Sequence, residues 1–207
     1  MRESEEAARE AVRAAVDPVA FQALETFVAS CREWGRVTNL VSAEDRERLW
    51  ERHVADSLQL VGLAEGAGPD WIDLGSGGGF PGLVVAIARK DTRMTLVESN
   101  RRKASFLLQA AGRSGVRVRV ESKRIEDLPA RSHDVVSARA LAPLDRLLVL
   151  AGRFFGEHTL GLFPKGRDAD KEVEAALRAF AFALERVPSR TDPGAAILAV
   201  SDLEGAR

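Results

Sequence analysis

Between Asp70 and Gly82 the chain reads Asp-Trp-Ile-Asp-Leu-Gly-Ser-Gly-Gly-Gly-Phe-Pro-Gly. No other stretch restricts the fold as much. A short apolar run ends in the acid Asp73, a glycine-dense turn follows, and Pro81 opens the next apolar segment. That order specifies a strand, a tight loop and a helix start. Glycines let backbone approach a ligand closely, and the amides of a helix start point at whatever sits there. The stretch therefore announces an α/β fold with a site for a nucleotide-like cofactor.

The rest of the chain extends this reading. Strand-like apolar runs at 71–74, 94–98, 116–120, 134–138 and 159–163 alternate with helical stretches near 81–89, 101–113, 143–152 and 168–182. Alternation of this kind builds a mostly parallel, twisted Rossmann-like sheet with helices on both faces. Two further apolar pieces, 182–187 and 195–200, have no room for a helix between them and are expected to form an antiparallel hairpin at the sheet edge. The first third is helical. Residues 3–15 are rich in good helix formers, Asp17 and Pro18 cap and open a second helix, and Ser42 with Asp45 opens a third that turns Leu49, Trp50, Val54, Leu58 and Val61 inward. Glycine-rich residues 62–69 divide the chain into an N-terminal helical segment, 1–66, and a cofactor-binding domain, 67–207.

Two cofactor classes use a glycine loop after the first strand. Gly77, Gly79 and Gly82 fit the GxGxxG of a dinucleotide site, and Gly75, Gly77 and Gly79 fit GxGxG. Asp73 separates them, because a carboxylate repels a pyrophosphate and suits the ammonium and sulfonium of S-adenosyl-L-methionine. Glu98, at the end of the second strand, suits ribose hydroxyls and so fits a nucleoside of either class. At the end of the fourth strand, Ser137 to Pro143 contains no Asn/Asp-Pro-Pro-aromatic tetrapeptide for amino-group methylation and no cysteine for pyrimidine carbon-5 chemistry. Cys31 falls on the apolar face of an N-terminal helix. The main domain offers no clustered metal ligands and no obvious general base, so the acceptor must be a nucleophile that needs little activation.

A single cysteine excludes an internal disulfide and points to a reducing, cytoplasmic compartment. No apolar run reaches the ~20 residues of a membrane span. The overall charge is −1, but residues 1–69 hold 8 basic against 13 acidic side chains and residues 70–207 hold 22 against 18. Between Asn100 and Arg124 the cations are Arg101, Arg102, Lys103, Arg113, Arg117, Arg119, Lys123 and Arg124, with Glu121 the only acid. This is a local footprint for phosphates. Arg101, Arg102, Lys103, Lys123 and Arg124 are its candidate RNA-binding residues.

These motifs together resemble the 16S ribosomal RNA guanine-N7 methyltransferase G family, also called glucose-inhibited division protein B, over residues 20–200. The resemblance is carried by Trp34-Gly35-Arg36-Val37-Thr38-Asn39-Leu40, His53-Val54-Ala55-Asp56-Ser57-Leu58, the Asp73–Gly82 loop, Glu98 with Arg101–Leu107, Arg124-Ile125-Glu126, Arg139-Ala140 and Lys165-Gly166. Lys123 and Gly35 depart from its pattern. It implies a Rossmann-like methyltransferase fold and an enzyme that methylates N7 of a guanine with S-adenosyl-L-methionine. It further implies that Gly75 and Phe80 contact the cofactor, that Ile125 and Glu126 frame the adenine, that Arg139 lies beside cofactor and base, and that Lys165 faces the same crevice. The implied partner is 16S ribosomal RNA, the small ribosomal subunit or its assembly intermediate, met by a monomer. A methyltransferase acting on another RNA or a small molecule, an NAD-dependent oxidoreductase and a non-catalytic assembly factor are the alternatives.

Overall fold

A computed structural model of the protein describes residues 2–36, 38–42 and 45–204. Val37, within the Trp34–Leu40 block, lies outside the described residues. The strands are β1 (Asp70–Leu74), β2 (Arg93–Val97), β3 (Arg119–Glu121), β4 (Val135–Ala138), β5 (Leu160–Lys165), β6 (Ala181–Pro188) and β7 (Ala196–Glu204). They form one sheet in the order β3-β2-β1-β4-β5-β7-β6. All pairings from β3 to β5 are parallel, and β7 runs antiparallel to both β5 and β6. The expected edge hairpin is present, with β7 inserted between β5 and the outermost strand β6.

The helices are α1 (Arg2–Ala15), α2 (Pro18–Trp34), α3 (Ala55–Leu63), α4 (Gly82–Ala88), α5 (Arg101–Arg113), α6 (Leu144–Ala151) and α7 (Ala169–Ala176). Two apolar clusters divide between the sheet faces. One joins Trp71, Met94, Leu96 and Val135 to α1 through α5, and the other joins Ile72, Leu74, Val136 and Phe163 to α6 and α7. The N-terminal helices thus share a core with the sheet. Among the described residues, no helix is long and apolar enough to cross a membrane.

Three elements differ from expectation. The last helix ends at Ala176 rather than 182, because Phe180 turns into the core and the chain enters β6 at Ala181. The third strand is only Arg119–Glu121, since it pairs on one side only. The third helix does not start at the Ser42–Asp45 pair. The pair does cap, with the Asp45 amide donating to Ser42 Oγ at 3.1 Å, but it opens only the single tight turn Asp45–Glu47. Helical structure resumes at Leu49 and passes into a wide turn, Trp50–Val54, in which the Ala55 amide reaches back to the Trp50 carbonyl. The extra residue rotates the buried face: Leu49, Trp50 and Val54 point inward as expected, Leu58 and Val61 pack against the core half-buried, and Ser57, Leu60 and Ala64 take the most buried places. Such wide turns cluster at functional sites, and this one carries His53.

Helix α1 holds this turn in place. Both carboxylate oxygens of Glu5 accept backbone amides, from Trp50 at 2.9 Å and Glu51 at 3.0 Å. Helix starts leave such amides without intrahelical partners, and here a side chain 45 residues away supplies the cap.

Candidate active site

The glycine loop leaves β1 at the carboxyl edge of the sheet. Gly75 has φ +68°, and a Cβ on it would lie 2.7 Å from Leu141 Cδ1. Only glycine lets the loop after β4 pack this close. From the other side, Phe27 of α2 packs its ring 5.0 Å from that of Phe80, and the Leu40 carbonyl lies 2.9 Å from where a Gly78 Cβ would be. The N-terminal helices therefore clamp the loop against the sheet.

Beneath the loop lies Asp73, wholly buried. Ser137 Oγ donates to its Oδ1 at 2.6 Å, and Trp71 Nε1 donates to Ser137 Oγ at 2.9 Å. Its Oδ2 has no hydrogen-bond partner and faces the first residue of α4, where a Gly82 Cβ would stand 2.7 Å away. Burial raises the Asp73 carboxyl to about 6, against the opposing pull of Ser137, Ser76, the Gly82 amide and Arg139. Glu98 accepts the Gly77 amide at 2.9 Å and the Asn100 amide at 2.7 Å. Two carboxylates thus occupy the positions where a dinucleotide site would present loop and helix amides to a pyrophosphate. The surroundings fit a cationic cofactor and not a diphosphate.

In front of the loop opens a cleft of about 770 Å³. Arg139, at the end of β4, forms its centre. Its guanidinium donates to His53 Nδ1 at 2.5 Å and to the Arg52 carbonyl at 3.2 Å, lies 3.5 Å from Asp56 Oδ2, and sits over the Phe80 ring at 5.6 Å from the centroid. The His53 ring stacks on Phe80 at 4.8 Å. Since a guanidinium can only donate, Nδ1 is the acceptor and the imidazole proton is on Nε2. Burial, with Arg139 beside it, lowers the His53 pKa to about 3. His53 is therefore neutral and unable to act as a base toward the cleft.

Asp56 draws three segments together. Its Oδ1 accepts from Thr191 Oγ1 at 2.8 Å, Gln59 Nε2 at 3.1 Å and Ser189 Oγ at 3.4 Å, while Oδ2 faces Arg139. Lys165 donates to the Ala142 carbonyl at 2.7 Å and pairs with Glu172 at 2.8 Å. It fastens the Ala140–Pro143 loop, in which Ala140 takes φ +54°.

Of the residues singled out from sequence, Gly75, Gly77, Phe80, Lys103, Arg139 and Lys165 line the cleft. Asp73 and Gly79 lie behind the loop, Asp73 under it and Gly79 against Phe27 and Leu83. Ile125 is in the core after β3, with exposed Glu126 next to it at the same sheet edge. Arg101, Arg102, Lys123 and Arg124 are exposed outside the cleft. Sequence reasoning missed the part that Ser137, Trp71 and Glu172 take in the site. The register that sets Ser137 beside Asp73 on neighbouring strands was not readable before the strand order was known.

Comparison with known proteins agrees with this architecture. The chain resembles solved structures of a MtNAS variant in complex with S-adenosylmethionine (16% identity, TM-score 0.60, 88% of this chain and 71% of that one) and of the N-methyltransferase NodS from Bradyrhizobium japonicum in complex with S-adenosyl-L-homocysteine (15%, 0.58, 84% and 98%). These likenesses establish the methyltransferase variant of the Rossmann-like fold. Ribosomal RNA small subunit methyltransferase G from Rhizorhabdus wittichii is 45% identical over 207 residues, covering 99% of this chain and 95% of the relative. The same-named protein of Methylobacterium nodulans is 44% identical, covering 93% of each. The model of the family described as rRNA small subunit methyltransferase G matches residues 20–192, and the chain belongs to that family.

Proposed function

We infer that the protein transfers the methyl group of S-adenosyl-L-methionine to N7 of a guanine in 16S ribosomal RNA. The observation that carries this reading is the pairing of an acid-floored glycine loop with a cleft whose carboxylates are already engaged. Asp45 is tied to Ser42, Asp56 to Thr191, Glu172 to Lys165 and Asp192 to Arg52. His53 accepts from Arg139. Such a site suits an acceptor that surrenders no proton, and guanine N7 offers an in-plane lone pair and carries none.

When bound, the cofactor supplies an electrophilic sulfonium methyl. The chain supplies alignment and a water-poor crevice. Gly75 and Phe80 form the contact surface of the loop, Glu98 meets the ribose, and Ile125 with Glu126 frames the adenine. Arg139, held rigid by His53, Asp56 and the Phe80 ring, orients the base. Residues 1–66 act as the helical wall of the site and 67–207 as the cofactor domain.

The exposed first turn of α5 is assigned to RNA docking with Lys123 and Arg124. Arg101, Arg102 and Lys103 sit where the helix dipole favours acids. Three cations there oppose local stability and suit an external phosphate. The partner is the small ribosomal subunit or its assembly intermediate, met in the cytoplasm by a monomer.

The test is methyl transfer from labelled cofactor to small subunits, naked 16S RNA and protein, with mapping of the modified base. Label at a guanine N7 of the RNA is expected, and label on protein only, or nowhere, overturns the reading. Arg139→Ala should lower transfer to RNA by about 10–100-fold, the scale of losing one charge-assisted contact with the base. Unchanged transfer and unchanged cofactor affinity would remove Arg139 from its assigned role.

A further inference from the structure

We propose that Ser137 is a positioning residue for the cofactor site: held by Trp71, its hydroxyl fixes the Asp73 carboxylate as the ionised counter-charge beneath the glycine loop. The proposal rests on the cofactor reading above and adds a residue that never touches the cleft.

The chain of hydrogen bonds has a direction. An indole N–H can only donate, so Trp71 takes up one lone pair of Ser137 Oγ. The hydroxyl proton is left to point at Asp73 Oδ1, 2.6 Å away. A neutral Asp73 would carry its proton on Oδ2 and keep the Ser137 bond at Oδ1, but that proton would have no acceptor among the described side chains, whereas the ionised form takes the full strength of the Ser137 hydroxyl. Trp71, Asp73 and Ser137 are all wholly buried. The arrangement follows from strand geometry: Trp71 and Asp73 alternate onto one face of β1, and Asp73 is in register with Ser137 on β4.

The other groups around Asp73 leave this task to Ser137. Leu96 of β2 and the backbone of Gly82 in α4 close it in, and Ser76 Oγ donates to its carbonyl rather than its carboxylate. Arg139 is the cation that acts on it from the end of β4, and Arg139 is itself balanced by Asp56 and Asp45. Oδ2 keeps no partner. Removing the Ser137 hydroxyl would take away the strongest of the groups that favour the carboxylate and leave only the weaker pull of Ser76, the Gly82 amide and Arg139. Burial would then carry the carboxyl upward from about 6 into the neutral range.

The experiment titrates S-adenosyl-L-methionine calorimetrically into the intact wild-type chain and into Ser137→Ala at pH 7 and pH 9. The wild type measured at each pH is the reference, because the cofactor's own ammonium titrates between them, at about 8 for a free α-amino group. The variant is expected to bind roughly five- to tenfold more weakly at pH 7 and within about twofold of wild type at pH 9, because a hydrogen bond to a charged group is worth about one pKa unit or more. A deficit equal at both pH values marks a merely structural role and overturns the proposal, as does no deficit at all. If Ser137→Ala fails to fold, Trp71→Phe removes the donor to the hydroxyl together with part of a buried ring. The cavity lowers binding equally at both pH values, and the lost donor should add the same pH-dependent deficit at smaller amplitude, so a flat profile there is also refuting. A wild-type chain that binds no cofactor at either pH overturns the cofactor reading itself, an outcome visible before any variant is compared.

Discussion

Replacing Glu5 with alanine tests whether α1 is part of the site or an appendage. Glu5 is nearly buried and gives one oxygen to each of the Trp50 and Glu51 amides, at 2.9 and 3.0 Å. A hydrogen bond to a charged group contributes about 1.5–3 kcal/mol. In the variant water can reach Glu51, which is half-exposed, but not the buried Trp50 amide. The expected loss is about 2–4 kcal/mol, or roughly 5–15 °C in Tm for a chain of this size. Glu5→Gln keeps one acceptor oxygen and should lose about half as much. Thermal unfolding measures the total, and hydrogen exchange at the Trp50 amide locates it. The turn that Glu5 caps carries His53 toward Arg139, so methyl transfer should fall beyond what unfolding explains at the assay temperature. A Tm within about 1 °C of wild type, or an unchanged exchange rate at Trp50, would refute the reasoning.

Acid should destabilise the protein between pH 6.5 and 4. The His53 pKa falls from 6.5 unfolded to about 3 folded, so below pH 6.5 the unfolded chain binds a proton that the folded one refuses, and stability is lost as pH falls. Burial lowers His133 in the same sense. Asp73 opposes them, since its raised carboxyl takes up a proton in the folded state between about 6 and 3.8. At pH 5 the His53 contribution alone is about 2 kcal/mol, so the drop in denaturant midpoint from pH 7.5 to 5 should shrink in His53→Phe; an equal drop in both proteins contradicts the assignment. Gly82→Ala would set a methyl 2.4 Å from Leu96 Cδ2 and 2.7 Å from Asp73 Oδ2. A cost of about 1–3 kcal/mol and a cofactor affinity at least about tenfold weaker are expected, and calorimetry showing wild-type binding would count against Asp73 as the floor of the site. The double change Arg101→Ala, Arg102→Ala should flatten log Kd for RNA against log salt by about 1.4, at about 0.7 per phosphate contact on single strands, whereas an unaltered slope would release α5 from RNA docking.

The fold was legible wherever one local signal sufficed. Asp73 to Gly82 specified its strand, loop and helix, and Asp17 with Pro18 specified the start of α2, where the Asp17 carboxylate caps the Val19 and Ala20 amides as expected. Legibility failed where a neighbour decides. Phe180 extends the apolar spacing of Val173 and Ala176, so the end of α7 could not be read before β6 was seen to need the residues after it. Nor does β6 alternate cleanly, being half-exposed or exposed throughout at the edge of the sheet. The wide turn at Trp50–Val54 is set by Glu5 from another helix, and no spacing within 42–61 reveals it. Within the site, residues on the loop and at strand ends were readable because their types carry the chemistry. Ser137 is an ordinary serine until the parallel register brings it to Asp73.

That contrast bears on why the N-terminal blocks belong to the same family signature as the glycine loop. The described residues of these blocks, 34–36, 38–40 and 53–58, lie outside the sheet, yet Leu40 presses its carbonyl on Gly78 and His53 stacks on Phe80, the ring on which Phe27 of α2 also packs. Asp56 then ties α3 to Arg139 and to Ser189 and Thr191 before β7. The hydrogen bonds and ring contact that hold Arg139 come from the helical segment (Arg52, His53 and Asp56) and from the loop it clamps (Phe80), with the Asp73 charge on β1 adding to them. A cofactor domain alone would hold a methyl donor but leave this arginine, a flexible cation in a buried place, without a fixed direction. The proposed cofactor loop and the pair proposed to orient the base therefore meet at one ring, Phe80, with the loop on one side and His53–Arg139 on the other. Changes that loosen the helical wall should for this reason act first on transfer to RNA and only later on affinity for the cofactor.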